Sequence, residues 1–204
     1  MISIIDYGLG NINAFVNVYK SLNIKIKIIE EPKDILNSSR LILPGVGAFG
    51  YALQMLKSKN MIDAINEAVL VKKIPILGIC VGMQILSRFS EEGNLSGLKW
   101  IDSNVKSFKS DVEVKKYPIP HMGWNNINIK KNNPLLSNLN SKSFFYFLHS
   151  YYFDCNKDSN IVATTEYGNT FTSVVNLENI FGVQFHPEKS HEAGSILLKN
   201  FASI

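Results

Sequence analysis

A chain of 204 residues with 46% hydrophobic content is long enough for one well-buried domain, and no compositional break marks a second. The net charge of +4 comes from scattered lysines such as Lys106, Lys109, Lys115 and Lys116, read as solvated faces with Lys189 the exception; dense basic blocks that would suit nucleic acid are lacking, and no apolar run approaches a membrane span. Two distant cysteines, Cys80 and Cys155, offer no disulfide framework, and a strand-like run opens the chain, so the expected setting is a reducing cytoplasm.

Ile2-Ser3-Ile4-Ile5-Asp6 reads as a buried strand, and Tyr7 to Asn11 turns it into a helix from about Ile12 to Leu22 with Asn11 as N-cap. Gly8-Leu9-Gly10 could begin a dinucleotide fingerprint. Asn13 stands where the third glycine belongs, and Glu30 precedes an ordinary charged loop, so a structural turn is the better account. Lysines alternate with isoleucines in Lys25 to Ile29, which predicts a strand in an edge or half-exposed position. Arg40 to Leu43 is the next strand, and it ends in Pro44-Gly45-Val46-Gly47. Glycines at that place let backbone N–H groups face a ligand, although a tight turn alone would also account for them. Helical patterns follow over Tyr51–Lys57 and Ile62–Val71.

Ile74 to Gln84 organises the chain. An apolar strand feeds Gly78-Ile79-Cys80-Val81-Gly82, and Met83, Ile85, Leu86 and Phe89 follow at helical spacing. This is a nucleophile elbow with sulfur in place of oxygen: the sharp strand-to-helix turn strains the backbone at Cys80, and side chains at either glycine would clash with the neighbouring strand and helix. A cysteine there sits at a helix N-terminus that favours a thiolate, and the Val81 amide can face an oxyanion. Taken alone, Cys80 could equally be a buried structural cysteine.

The balance tips about a hundred residues on, at Phe181 to Ser190, where an apolar strand ends in His186-Pro187-Glu188. A cysteine nucleophile needs a base, and the base needs an orienting group; Cys80, His186 and Glu188 supply all three. Alternation points His186 and Glu188 toward one cleft. Between the two motifs the βαβ pattern gives way to short strands, expected at Trp100–Ile101, Ser107–Phe108, Trp124–Asn128, Ser143–His149, Ile161–Thr165 and Thr170–Val174, which suggest antiparallel additions to a mainly parallel sheet. A helix from about His191 to Phe201 closes the chain. Gln84, one turn after Cys80, is either a substrate contact or a buried amide satisfied by backbone. His121 and His149 lack carboxylate or cysteine partners at ligand spacing, so no metal is expected.

Gly78 to Gln84 together with Phe185 to Glu188 resembles the class I, triad-type glutamine amidotransferases, and the resemblance covers nearly the whole chain. Within that family, Pro120-His121-Met122-Gly123-Trp124-Asn125, Pro44 to Gly47 and Val183 to Ser190 are similar to the glutaminase subunits of imidazole glycerol phosphate synthase. The resemblance implies a flavodoxin-like α/β fold, a mainly parallel sheet flanked by helices with an antiparallel extension, and no cofactor. It implies that Cys80 attacks glutamine with His186 and Glu188 in support, and that Gln84 and the His149-Ser150-Tyr151 stretch bind the substrate's amino-acid end. Val81 and the Gly45-Val46-Gly47 turn would hold the oxyanion. Trp124, Asn125, Tyr146 and Lys189 would lie at the partner interface or ammonia gate, the partner being a (β/α)8 barrel cyclase that forms a heterodimer with this chain in histidine biosynthesis. A paralogue feeding acetamidino-sugar synthesis, a γ-glutamyl hydrolase and a non-catalytic binding module are the other readings.

Overall fold

Runs of isoleucine and leucine without alternation are the mark of strands covered on both faces. The computed structural model, which describes residues 1–110 and 116–204, places them at the centre of the sheet; Lys115 lies outside the described residues. β1 (Ile2–Ile5) and β4 (Ile76–Cys80) are buried along their whole length, and β3 (Arg40–Gly45) along all but its first residue. β2 (Ile26–Ile29), with its exposed Lys27 and Ile28, forms the edge, as its lysine alternation predicts. These four and β14 (Ile180–Val183) run parallel in the order β2-β1-β3-β4-β14.

Helices cover this parallel half. α1 (Ile12–Ser21) is capped by the Asn11 side chain, which accepts from the Ala14 amide, and buries Phe15 and Tyr19. It packs on α6 (His191–Ser203), where the Tyr19 hydroxyl donates to the Leu198 carbonyl at 3.2 Å. A short α2 (Pro32–Ile35), absent from the sequence expectation, and α3 (Phe49–Ser58) pack on α4 (Met61–Asn66). The helix expected to run unbroken to Val71 widens into a π-turn over Glu67–Val71. Gly8 and Gly10 adopt positive φ at the β1–α1 turn, and Gly10 lies against Pro44 where a Cβ would come within 2.7 Å of it. The Gly-x-Gly pattern therefore serves backbone packing.

Beyond β14 the sheet turns antiparallel through β13 (Asn169–Leu177), then β11 (Tyr151–Cys155) and β7 (Ser103–Ser107), with β5 (Phe89–Ser90) and β6 (Leu95–Ser96) at the far edge; β12 (Ile161–Tyr167) and β9 (Asn128–Ile129) branch from β13. β8 (His121–Asn126) and β10 (Phe144–His149) make a separate antiparallel ribbon. Trp100–Ile101 forms no strand, Ser107 ends β7 where a strand through Phe108 was expected, and Ile127 separates β8 from β9.

The largest departure from expectation follows Cys80. α5 covers only Val81–Gln84, and Phe89 belongs to β5. The stop is tertiary: the amides of Leu98, Trp100 and Ile101 donate to the Ile85 and Leu86 carbonyls at 2.7–3.0 Å, and the Lys99 amide takes the Ser87 carbonyl at 2.9 Å. Carbonyls that would have continued the helix are thereby occupied.

Candidate active site

Cys80 closes β4 at φ 54°, ψ −111°, a strained conformation for a residue with a Cβ. The strain persists because its surroundings admit no alternative. Gly45 lies opposite Cys80 in the β3–β4 register, and a Cβ on it would stand 2.4 Å from the Gly82 nitrogen. A Cβ on Gly82 would stand 1.9 Å from the Leu43 carbonyl oxygen. These glycines let the start of α5 press against β3, which holds the cysteine at the sheet's C-terminal edge.

β14, parallel to β4, delivers His186 to the same edge. His186 Nδ1 bonds Glu188 Oε1 at 2.8 Å, with both side chains buried, which turns Nε2 of the ring toward the sulfur. Burial alone would keep this imidazole neutral. The neighbouring Cys80 sulfur, which hydrogen-bonds the ring, and the Glu188 carboxylate outweigh that cost and push His186 up to about 10. The backbone of His186 is fixed as well: its N–H donates to the Tyr146 carbonyl at 2.8 Å, while Ser190 Oγ donates to its carbonyl at 2.6 Å and accepts from the Tyr146 amide at 3.0 Å.

A cavity of about 320 Å³ opens over the cysteine, near the low end of the roughly 300–1,000 Å³ of small-molecule sites. Cys80, Val81, Val46, Gly47, Gln84, His149, Ser150, Tyr151, His186 and Lys189 all line it. Gly45 lies just behind, within β3. Gln84 is buried, and its amide nitrogen donates to the Tyr151 carbonyl at 2.9 Å and to Gln184 Oε1 at 3.2 Å, so only its oxygen is left for a ligand. The His149 ring is held at the cavity wall, with Nδ1 donating to the Tyr151 carbonyl at 2.8 Å. Glu92, Pro120 and Leu148 also line the cavity, although sequence reasoning gave none of them a role there. Glu92 accepts from the Phe49 amide at 2.9 Å, which ties the head of α3 to the cavity wall.

Alternation along the β8–β10 ribbon sorts the remaining expected residues. Met122, Trp124, Phe144 and Leu148 are exposed on its outward face, with Tyr146 paired opposite Trp124. Lys189 Nζ lies 5.7 Å from the Tyr146 ring centroid, and Trp124 stacks on His191 at 5.0 Å. Asn125 falls on the inward face, where its amide donates to the Glu166 carbonyl at 3.0 Å. Among the described residues, no group of three or more His, Cys, Asp or Glu is placed to hold a metal ion, and no helix is long and apolar enough to cross a membrane.

A cysteine on a strained turn, a histidine beside it and a buried carboxylate behind the ring are the groups, in the order, that acyl transfer through a thiolate requires. A family model described as glutamine amidotransferase class-I matches residues 3–203. The chain belongs to this family. Among class I glutamine amidotransferases it is 47% identical over 204 residues, all of both chains, to the imidazole glycerol phosphate synthase subunit HisH of Leptospira interrogans. It is 48% identical, again over the full length of both, to the protein of the same name from Leptospira borgpetersenii, and 47% identical over 98% of each chain to HisH 2 of Methanococcus maripaludis. A solved glutamine amidotransferase structure superimposes with a TM-score of 0.75 at 15% identity, covering 98% of each chain, and so supports the amidotransferase fold. That fold is the flavodoxin-like sheet with its antiparallel extension.

Proposed function

We propose that this amidotransferase chain, as one domain, is the glutaminase subunit of an imidazole glycerol phosphate synthase, and that it hydrolyses glutamine at Cys80 and hands ammonia to a (β/α)8 barrel cyclase in histidine biosynthesis. The observation that carries the reading is the placement of buried His186 between the Cys80 sulfur, which hydrogen-bonds its ring, and the buried Glu188 carboxylate 2.8 Å from Nδ1. The thiolate attacks the side-chain amide carbon of glutamine. The Val81 amide and the amides of the Gly45–Gly47 turn receive the oxyanion, and His186 gives its proton to the departing ammonia. Neutral His186 then takes a proton from water, whose attack on the thioester releases glutamate and restores the thiolate.

Substrate orientation is read from the cavity walls. Glu92 and the free oxygen of Gln84 suit the α-ammonium group of glutamine, and backbone around His149, Ser150 and Tyr151 suits its carboxylate. Ammonia released into water at neutral pH would be protonated and useless as a nucleophile, so a partner must receive it directly. The apolar outward face of the β8–β10 ribbon, beside the cavity, is the surface proposed to dock the cyclase and form the heterodimer. Trp124, Tyr146 and Lys189 lie there, while Asn125 supports the ribbon from beneath. A cytoplasmic setting suits the two free thiols.

The test is Cys80→Ala in the complex with the cyclase. Glutamine-dependent synthesis falls by at least 10³-fold while synthesis from ammonium salts continues at close to the wild-type rate, since removing a nucleophile leaves the acceptor reaction untouched. Equal loss of both activities would make Cys80 a structural residue.

A further inference from the structure

Strand register brings a second side chain to the nucleophile. Val183 of β14 lies opposite Ile79 of β4, so Gln184 follows at the level of Cys80. Gln184 is fully buried, its backbone N–H donates to the Ser173 carbonyl at 2.9 Å, and its side-chain nitrogen lies 3.8 Å from Cys80 Sγ.

Which end of the Gln184 amide faces the sulfur is dictated by its neighbours. The Tyr151 carbonyl can only accept, so the Gln84 atom 2.9 Å from it is the nitrogen. The second hydrogen on that nitrogen points to Gln184, 3.2 Å away, and must meet an oxygen. The opposite end of Gln184, the NH2 group, is left facing Cys80. Two histidines pin the same Tyr151 carbonyl from the other side. His149 Nδ1–H donates to it at 2.8 Å, so His149 Nε2 accepts; His121 Nδ1–H supplies that bond at 3.0 Å, and His121 Nε2 accepts from Asn125 at 3.4 Å. Burial keeps both rings neutral and so preserves this order of donors.

We propose that Gln184 is a catalytic residue whose side-chain N–H stabilises the Cys80 thiolate, and that Gln84 and the Tyr151 carbonyl are the positioning groups that aim it. The proposal rests on Cys80 being the nucleophile. A neutral thiol is a weak acceptor and a thiolate a strong one, so the contact favours the charged sulfur. Among the described residues, the charged and titratable groups around Cys80 include His186 with Glu188 behind it, the buried hydroxyl of Tyr7, and Glu92, His149, Tyr151 and Lys189 on the cavity wall. Gln184 acts from the sheet side, where no solvent competes.

The experiment is the pH profile, between about pH 4 and pH 9, of the rate at which iodoacetamide alkylates Cys80 in the isolated chain, sulfur displacing iodide, followed by peptide mass spectrometry. Gln184→Met keeps the volume and removes the donor; Gln184→Glu keeps the acceptor for Gln84 and sets a charge beside the sulfur. A hydrogen bond to a charged group corresponds to a factor of about ten or more, so the midpoint of the alkylation profile is expected to rise by about one pH unit in the Met variant and further in the Glu variant. In each, kcat for glutamine falls with KM changed less than about twofold. Buried Cys155, remote in β11, must stay unlabelled, which separates a lost donor from a loosened fold. A wild-type midpoint of the alkylation profile at Cys80 in either variant overturns the proposal. A wild-type chain whose Cys80 reacts no faster than Cys155 overturns the nucleophile assignment itself, and the proposal with it.

Discussion

Two histidines beside the cavity are expected to make the protein sensitive to acid. His121 is sandwiched between Tyr167 and Phe147, with ring centroids at 3.9 and 4.7 Å, and burial lowers its pKa to about 4. His149 is lowered to about 3 by burial, with neighbouring His121 adding to it. A free histidine titrates near 6.5, so below that pH the unfolded chain binds protons that the native state refuses. The stability they leave intact is complete above about pH 6.5 and drains as the pH falls toward 4, at up to ~1.4 kcal/mol per unit for each ring. His121→Phe keeps the aromatic sandwich and removes one proton from this linkage, so its stability should fall less steeply between pH 6.5 and 4.5 than the wild type's. Carboxylates contribute equally to both curves and cancel in the comparison. Urea unfolding at several pH values measures it; parallel curves would mean that His121 is already charged in the native state.

At the scale of the element, the turn after β3 is built from closeness. A methyl group on Gly82 would overlap the Leu43 carbonyl, backbone that cannot swing aside, so Gly82→Ala is expected to cost more than about 4 kcal/mol or to prevent folding. Gly47→Ala meets no atom within 4 Å and pays only for its φ of +87°, about 1–2 kcal/mol. Urea melts of the two variants check the order, and comparable losses would contradict the packing described here. Gly82 was legible in the sequence because the chemistry of an elbow demands it, whereas Gly47 read equally as a plain tight turn. So were the parallel strands, whose apolar runs admit few other placements. The length of α5 was not, because its stop lies in amides fourteen or so residues later, at Leu98 to Ile101. β11 was missed since Ser150 alone divides it from β10, and an aromatic run carries no mark of a crossing between sheets. Glu92 reads as an ordinary turn carboxylate until the fold sets it on the cavity wall. Asn125 was grouped with Trp124 by motif, whereas strand alternation sends the two side chains to opposite faces.

In the whole molecule, the proposed docking face and the triad share a frame. Trp124 stacks on His191, the first residue of α6; Ser190, next to it, bonds both the His186 carbonyl and the Tyr146 amide, and Tyr146 lies beneath Lys189. A partner docked on the proposed face and pressing on Trp124 would therefore act on groups one hydrogen bond removed from His186, the proposed catalytic base. The buried Tyr7 hydroxyl donates to the Pro44 carbonyl at 2.6 Å and fixes that peptide, while Val46 beside it is 37% exposed, so the proposed switch is a reorientation of the peptide next to Val46 that presents or withholds an amide. One missing oxyanion donor costs about 10²–10³ in turnover, so a single peptide orientation is enough to separate idle from active. An unpartnered glutaminase would waste its substrate, and the expected behaviour is slow hydrolysis by the isolated chain, with acceleration of at least 10²-fold in the complex once the acceptor substrate is bound. Trp124→Ala should cut the ratio of complexed to isolated rates at least tenfold, because the stack that relays docking to α6 is gone. Steady-state glutamate release from the isolated chain, the complex and the liganded complex measures that ratio. An isolated chain as fast as the liganded complex would mean that the Gly45–Gly47 turn is a permanently formed oxyanion hole, and that the Trp124–His191 stack holds the ribbon in place without signalling through it.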